Sequence, residues 1–189
     1  MNIDNDTRLI NKIKLGNRKA FDKLLNRYKD PLFGFLFHLT GNKQDAEDLF
    51  QETFIRIIHT INSYSHQNKF KSWIFKIAHN CFREKVRKKK NDTIENRQLW
   101  EERYSHFDSK NLPDTCIEQE EFMHYYKKSL VTLSNDLKTV FLMRVQSELS
   151  FKEIADILGC SINTALGRMH YALMQLRKEI LEQSEGKKV

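Results

Sequence analysis

The stretch from Asn62 to Lys90 brings together the side-chain types that bind single-stranded nucleic acid. A polar, amide-rich loop at 62–68 leads into a segment, 69–90, that holds nine basic residues and one acid. Bases stack on aromatic rings and hydrogen-bond to amides, while lysine and arginine follow the phosphates. Trp73 could supply such a ring, although a core tryptophan in a basic surface helix fits the same pattern.

A second stretch, 149–176, has the pattern of two short helices joined by a tight turn. The first helix would bury one face, formed by Ile154, Ala155 and Leu158. Gly159 suits the left-handed position that ends this helix, and Ser161 can cap the next one. Apolar residues recur at helical spacing in the second helix: Ala165, Met169, Ala172, Leu173 and Leu176. This pattern predicts a helix-turn-helix that enters a DNA groove, with an ordinary helical hairpin as the competing interpretation.

A third set of side chains lies on one face of a predicted helix and consists of Asp45, Asp48, Gln51 and Glu52. The opposite, apolar stripe of that helix is formed by Ala46, Leu49, Phe50, Phe54, Ile57 and Ile58. From spacing alone, a solvated acidic face is the favoured interpretation of these polar residues.

Helices must position all three sets. Two prolines and six glycines in 189 residues indicate a largely helical protein. We therefore predict an all-α fold of two small helical domains joined by a linker, the C-terminal one a helix-turn-helix. The first long helix should start after Asn17 and end near Pro31. A break at 40–42 should separate the following helices.

The charge pattern predicts the domain boundaries. Segment 91–122 holds nine acids against three bases and lacks sustained helical periodicity, which is typical of a linker. The N-terminal domain is expected at 1–90, the C-terminal domain at 123–183 and a frayed tail at 184–189.

Composition narrows the classes of function. A net charge of +7 favours a polyanionic partner, either nucleic acid or an anionic membrane.

The sequence also bears on location and on chemistry. No apolar run approaches the roughly 18 residues of a membrane span, and the first residues lack a signal-peptide core. We therefore expect a cytoplasmic protein without membrane insertion. Three widely spaced cysteines indicate free thiols. Because metalloprotease, P-loop and nucleophile-elbow spacings are all missing, we expect neither an enzyme nor a cofactor or metal.

Taken in order, these motifs resemble the extracytoplasmic-function sigma factors of bacterial RNA polymerase. The matching residues are Ala20 and Phe21 with Tyr28, DAEDLFQETFIR at 45–56, FKSWIFKIA at 70–78 with Asn80, and LSFKEIA at 149–155 with Leu158 and Gly159. The patterns D-A-E-D-L-x-Q-E-x-F and F-x-x-W-[IL]-x-x-I-A-x-N are specific in this order, whereas a helix-turn-helix alone is weak. The resemblance covers nearly the whole chain apart from the linker and both ends.

The resemblance reassigns the acidic face to docking on the clamp helices of the largest polymerase subunit. The residues that carry over are Asp48, Gln51 and Glu52, with Asp45, Phe54 and Ile58 as neighbours. The resemblance also implies control by an anti-sigma factor, which could hold the chain at the membrane. Catalysis then belongs to the polymerase.

Promoter recognition is implied for both domains. The N-terminal domain would capture the unwound −10 strand and hold flipped bases, through Asn62, Tyr64, Asn68, Lys69, Trp73, Lys76, Asn80 and Arg83. The second helix of the C-terminal domain would read the −35 duplex in the major groove. Its contact residues would be Ser161, Asn163, Thr164, Leu166, Gly167, Arg168, His170 and Tyr171.

Leu166 and Gly167 depart from the family, whose members usually carry a basic residue and a serine or similar residue there. We therefore expect fewer charge-assisted bonds to the −35 element than in most relatives.

The linker is long enough to let the two domains reach both promoter elements. Some thirty extended linker residues reach about 100 Å, more than the roughly 58 Å spanned by about 17 intervening base pairs. The alternative function is a stand-alone helix-turn-helix regulator. Such a protein would need no polymerase, and its acidic face would bind no partner.

Overall fold

The computed structural model describes residues 3–65, 69–92, 126 and 128–185, and the regular elements within these ranges are all helical. The α-helices are α1 (Ile3–Lys14), α2 (Arg18–Thr40), α3 (Lys43–Thr60), α4 (Phe70–Asp92), α5 (Asn135–Val145), α6 (Phe151–Leu158) and α7 (Ile162–Glu185). A short 3₁₀ helix, Ile61–Ser63, follows α3, and residues 128–132 are also helical. The predicted all-α fold class is confirmed.

Asparagine caps start α2 and α3. The side-chain oxygens of Asn17 and Asn42 accept hydrogen bonds from the N–H groups of Ala20 and Asp45, both at 3.0 Å. Between the two helices, Gly41 has a φ of 64°, a left-handed conformation that glycine adopts without strain. The chain therefore turns sharply where the sequence predicted a break.

α2 runs through Pro31, so the prediction that it ends there was wrong. A proline inside a helix costs about 3 kcal/mol, because it removes a backbone hydrogen bond and its ring crowds the preceding turn. The residues beyond it are enclosed, since Leu32, Phe35 and Leu36 are each 0% exposed. Burial stabilises by about 1.5–3 kcal/mol for each such side chain, so packing against the rest of the domain outweighs the local cost.

Aromatic rings build the centre of the N-terminal domain. Phe35 of α2 meets Phe75 of α4 edge to face with ring centroids 5.2 Å apart, and Tyr28 meets Phe70 in the same way at 5.6 Å. α3 packs against both α2 and α4. One side of α3 and one side of α4 are left exposed, and these sides carry the candidate contact residues.

The helix-turn-helix is formed by α6 and α7. Ser150 and Glu153 make a reciprocal capping box at the start of α6, and Gly159 ends the helix with a φ of 65°. The Ser161 hydroxyl accepts a hydrogen bond from the Thr164 N–H at 3.0 Å and caps α7, as predicted. Leu173, which was expected in the buried stripe, is 48% exposed because α5 and α6 cover only the opposite side of α7.

Apolar packing continues between the two halves of the chain, with α4 against α6 and α2 against α5. Ser72 of α4 donates a hydrogen bond to Glu153 of α6, and Lys71 lies 3.8 Å from Glu148. The predicted linker 91–122 lies outside the described residues except for its first two, which continue α4. The first two residues of the predicted tail extend α7 as far as Glu185.

Candidate protein and nucleic-acid interfaces

α3 carries a row of exposed residues, which we call the α3 outer face. It consists of Asp48, Gln51, Ile55 and Ile58. At its N-terminal end the Asp48 carboxylate lies 3.4 Å from Lys85 of α4. Ile55 and Ile58 are 54% and 51% exposed, beside a carboxylate and an amide, which is typical of a protein-binding surface. Ile55 was missed by the sequence reasoning, although its spacing of four from Gln51 and three from Ile58 places it on this face.

Asp45 was predicted to dock a partner, yet its carboxylate faces α4. It is 17% exposed and lies 2.9 Å from Lys85 and 2.8 Å from Lys89. Burial raises the pKa of Asp45, but hydrogen bonds from Lys89 and Lys85 outweigh burial and hold the pKa below its ordinary value. Asp45 therefore joins α3 to α4 inside the domain.

Two further predicted docking residues are engaged within the domain. Glu52 lies 2.5 Å from Arg56, whose pKa is raised chiefly by hydrogen bonding to Glu84 of α4. Phe54 is half-buried and packs on Phe50 with ring centroids 4.7 Å apart. The predicted docking residues with exposed side chains are Asp48, Gln51 and Ile58.

α4 carries a second row, which we call the α4 stripe: Trp73, Lys76, Asn80 and Arg83. Trp73 is half-buried and the other three are exposed. The stripe combines an aromatic ring, an amide and two cations along about 15 Å of helix, which suits base stacking, base hydrogen bonding and phosphate neutralisation. Arg87 continues the stripe by one turn, is also exposed, and was not predicted.

Tyr64 was predicted to contact the −10 strand, but its ring is packed inside the domain and is 6% exposed. It lies 4.8 Å from the Trp73 ring. Burial raises the pKa of the Tyr64 hydroxyl, and hydrogen bonding from the Lys69 main chain partly offsets this effect. Asn62 and Lys69 are exposed as expected, whereas Asn68 lies outside the described residues.

On α7, the outward row predicted to contact DNA contains Asn163, Leu166 and His170, all exposed. Thr164 is exposed next to this row and shares the capping interaction with Ser161. Among the described residues, no atom comes within 4 Å of the position a Gly167 Cβ would take, beyond those of its own helix. Space is therefore left in front of Gly167, because α5 and α6 pack on the other side of α7.

Arg168 is turned away from this outward row. Its guanidinium lies 2.6 Å from the carboxylate of Asp136 in α5, and the Arg168 side chain is 30% exposed. Arg168 and Tyr171 line a groove of about 590 Å³ between α5 and α7. Tyr171 itself is 62% exposed, so both residues flank the outward row instead of belonging to it.

His79 lies where the two halves of the chain meet. It is 7% exposed, and its Nδ1 has no hydrogen-bond partner in the described part of the chain. Burial lowers the pKa of His79 to about 4, with a further lowering by Arg83 and Arg168 and an opposing effect of Asp136. A neutral imidazole therefore sits between the α4 stripe and the α5–α7 ion pair.

The fold is that of a helical protein with a helix-turn-helix, an α3 outer face that exposes two isoleucines, and exposed polar rows on α4 and α7. Within the described ranges, none of the helices combines the length and apolar character that crossing a membrane requires. Family models match the chain in two places: Sigma-70 region 2 at residues 24–91 and Sigma-70 region 4 at residues 124–176.

Similar proteins agree with both matches. The chain is 30% identical to the ECF RNA polymerase sigma factor SigW of Bacillus subtilis, over 90% of this chain and 94% of that protein. It is 31% identical to SigM of the same organism, over 75% and 83% of the two chains. The sigma factor RpoE of Bartonella quintana, solved with the anti-sigma factor NepR, has the same fold with a TM-score of 0.69 at 24% identity, over 86% of this chain and 97% of that one. The chain belongs to the ECF sigma factors of RNA polymerase.

Proposed function

We propose that this protein is an alternative sigma factor that binds the core of bacterial RNA polymerase and directs promoter-specific transcription initiation. The α3 outer face carries the proposal, because it joins Asp48 and Gln51, the residues that the resemblance assigns to docking, with two exposed isoleucines. A stand-alone helix-turn-helix regulator does not need a protein-binding surface of this kind on α3. The surface combines apolar contact with directional polar groups, which is how specific protein interfaces are built.

The −10 strand would lie along the α4 stripe. Trp73 offers the exposed part of its ring for stacking, Asn80 offers an amide for a base edge, and the cations Lys76 and Arg83 neutralise phosphates. Asn62 and Lys69 flank the loop that would hold an extruded base. No chemistry is done on the base, so the site needs only to stabilise the extruded state.

The −35 duplex would be read by the outward row of α7. Leu166 can contact a thymine methyl group, and Asn163 and His170 can hydrogen-bond to base edges or phosphates. Because Arg168 is held by Asp136, the row carries little fixed positive charge. This supports our expectation of fewer charge-assisted bonds to the −35 element.

The wider assignments belong to the same proposal. Residues 1–90 and 123–183 would act as the −10 and −35 domains on either side of a linker at 91–122, with a tail at 184–189. The protein would perform no catalysis itself and would work in the cytoplasm with promoter DNA. An anti-sigma factor would control it and could hold it at the membrane.

Run-off transcription with core polymerase on a genomic promoter pool tests the proposal. We expect start sites that core alone does not produce. Gln51→Ala should weaken core binding without affecting folding, since Gln51 is exposed, whereas the control Gln44→Ala on the first turn of α3 should leave binding unchanged. Transcripts identical to those of core alone would refute the proposed function. It would also be refuted if Gln51→Ala bound core tightly and the protein bound DNA without polymerase.

A further inference from the structure

A cluster of positive charge surrounds the turn between α1 and α2, and we call it the basic turn. Residues 7–21 contain no acid and five basic residues, which are Arg8, Lys12, Lys14, Arg18 and Lys19. All five are exposed. The first family match begins at residue 24, so the basic turn lies outside the part of the chain that the family models describe.

Backbone hydrogen bonds hold this turn in one shape. The Gly16 N–H donates to the carbonyl of Ile13 at 2.8 Å. The Asn17 N–H donates to the carbonyl of Lys12 at 3.0 Å, which completes the Schellman pattern at the end of α1. Asn17 then caps α2 through its side chain. The backbone beneath the cations therefore needs no reordering when a ligand binds.

The stability of the fold does not account for these cations. Apart from Lys14, none of the five forms a salt bridge or a side-chain hydrogen bond with another described residue. Arg27 of α2 differs, since it pairs with Asp6, whose side chain is 13% exposed. Arg18 and Lys19 lie in the first turn of α2, where the helix dipole disfavours cations by roughly 0.3–1 kcal/mol each. Local charges that oppose stability are typical of a functional surface.

The basic turn lies beside one end of the α4 stripe. The Lys14 Nζ donates a hydrogen bond of 2.5 Å to the main-chain carbonyl of Tyr64. The ring of Tyr64 lies 4.8 Å, centroid to centroid, from the ring of Trp73, which is the first residue of the stripe. The basic turn therefore extends the α4 stripe beyond its aromatic end.

The order of side chains along the stripe indicates the direction of the promoter strand. The Trp73 end offers a ring on which an unpaired base can stack, whereas the far end offers Arg83 and Arg87, which suit the phosphates of a duplex. Under the proposed function, the DNA is paired on the side of the −35 element and unwound on the downstream side. The downstream single strand would therefore leave the stripe at Trp73 and pass over the basic turn.

The composition of the basic turn favours nucleic acid over a protein partner. Protein interfaces are depleted in lysine and depend on aromatic and apolar residues at their centre. Leu15, which is 87% exposed, is the exposed large apolar residue of this turn. Lysine and arginine are the residues that neutralise phosphates.

We propose that the basic turn is a phosphate-binding surface for the unwound promoter strand downstream of the −10 element. The inference rests on the proposed function and extends it to α1 and the start of α2. Contacts with phosphates carry no sequence information, so the surface adds affinity for any strand that is long enough to reach it. Each neutralised phosphate releases counterions, which makes this part of the affinity depend on salt.

The experiment measures how holoenzyme, assembled from core polymerase and the full chain, binds two forked promoters. In the short fork the single strand ends with the −10 element, and in the long fork it continues for about eight nucleotides. We expect Lys12→Gln and Arg18→Gln each to weaken binding to the long fork about threefold, and the double variant about tenfold, at about 0.1 M salt. The double variant should also reduce the slope of log K against log salt by about 1.4.

Binding to the short fork and core affinity should be unchanged in these variants, and the thermal unfolding midpoint should not fall. Lys29→Gln is the matched control for the single variants, because Lys29 is an exposed lysine of α2 about three turns beyond Arg18. It should bind the long fork as wild type does.

Wild-type binding of the double variant to the long fork would overturn the inference. An equal loss on both forks would also overturn it, as would a loss in Lys29→Gln equal to that in Arg18→Gln. Reduced core affinity would assign the basic turn to a protein contact with the polymerase and would contradict the inference too. A wild-type holoenzyme that binds neither fork more tightly than core alone would mark failure of the proposed function, whatever the variants do.

Discussion

The hydroxyl of Ser72 in α4 donates a hydrogen bond to the carboxylate of Glu153 in α6, so the two candidate promoter-reading domains touch. Burial raises the pKa of Glu153, but the hydrogen bonds from Ser72 and Ser150 outweigh burial and keep the carboxylate ionised. The −10 and −35 elements of a promoter are about 58 Å apart. Under the proposed function, we therefore expect the contact between the domains to break before both elements are read together.

Linking the two domains covalently should block promoter recognition. In Ser72→Cys/Glu153→Cys, a disulfide would replace the hydrogen bond between α4 and α6. The oxidised protein should lose run-off transcription by at least about tenfold, because the −35 helix cannot move away from α4. The same sample should recover its transcripts after reduction, measured on one promoter.

The reduced double variant is the control for the lost capping box at Glu153. Oxidised protein that transcribes as well as reduced protein, with the disulfide verified by mass, would show that the domains need not separate. The single variants, which cannot form the crosslink, should respond to neither oxidant nor reductant.

Gly167→Ala should separate stability from DNA binding. An alanine in the middle of a helix is favoured over glycine by about 1 kcal/mol, and its Cβ would meet no neighbouring atom. We expect a higher free energy of unfolding in urea but weaker binding to a −35 duplex, because the added methyl group stands where the duplex approaches.

Gly34→Ala is the matched control, since Gly34 is a helical glycine of α2 with the same open space around it. It should raise stability by a similar amount and leave −35 binding unchanged. If Gly167→Ala binds the duplex as tightly as wild type, DNA does not approach α7 closely at this residue.

Asp45 and Asp48 should have opposite phenotypes. Asp45→Asn should lower the free energy of unfolding by about 1–2 kcal/mol, because its carboxylate is 17% exposed and pairs with Lys85 and Lys89. Asp48→Asn loses only a solvent-exposed ion pair with Lys85, 3.4 Å long at a side chain that is 59% exposed, so it should change stability little and weaken core binding. Urea unfolding and a core-binding titration separate the two effects.

The pH dependence of Asp45 follows from its lowered pKa. A carboxylate whose pKa is lower in the folded state stabilises the fold above its ordinary pKa of 3.8, and this stabilisation disappears as pH falls through the folded value. The difference between wild type and Asp45→Asn should therefore shrink below about pH 4. A constant difference down to pH 2 would exclude the ion pairs as its source.

His79 should make the protein sensitive to mild acid. Its pKa is about 4 in the folded protein against 6.5 for an ordinary histidine, so the unfolded chain binds the extra proton first. Stability should fall by up to about 1.4 kcal/mol per pH unit between pH 6.5 and 4. Arg83, Arg168 and Asp136 are the charged groups that act on the ring.

Urea unfolding at several pH values tests this expectation. His79→Leu should flatten the dependence on pH in that window, while the exposed control His59→Leu should keep it. An unchanged slope in His79→Leu would place the titrating group elsewhere.

Local chemistry made much of this protein predictable from its sequence. Hydrogen bonds within a few residues explain the helix caps at Asn17, Asn42 and Ser161 and the left-handed turn at Gly159. The helix starts and the turn of the helix-turn-helix could therefore be recognised directly from the sequence. The motifs at 45–56, 70–80 and 149–159, taken in order, also resemble those of the ECF sigma factors, and this resemblance indicated the family.

Tertiary structure decided which of those side chains reach solvent. Asp45 faces inward because two lysines of α4, some forty residues later, lie across from it, and Arg168 is held by an aspartate of another helix. Tyr64 is buried because the rings of Phe70 and Trp73 in α4 pack against it. Helical periodicity fixes the direction in which a side chain leaves its helix, but its burial depends on neighbours that are distant in sequence. Contacts with such distant residues also stabilise α2 beyond Pro31 and bring the two domains together at Ser72.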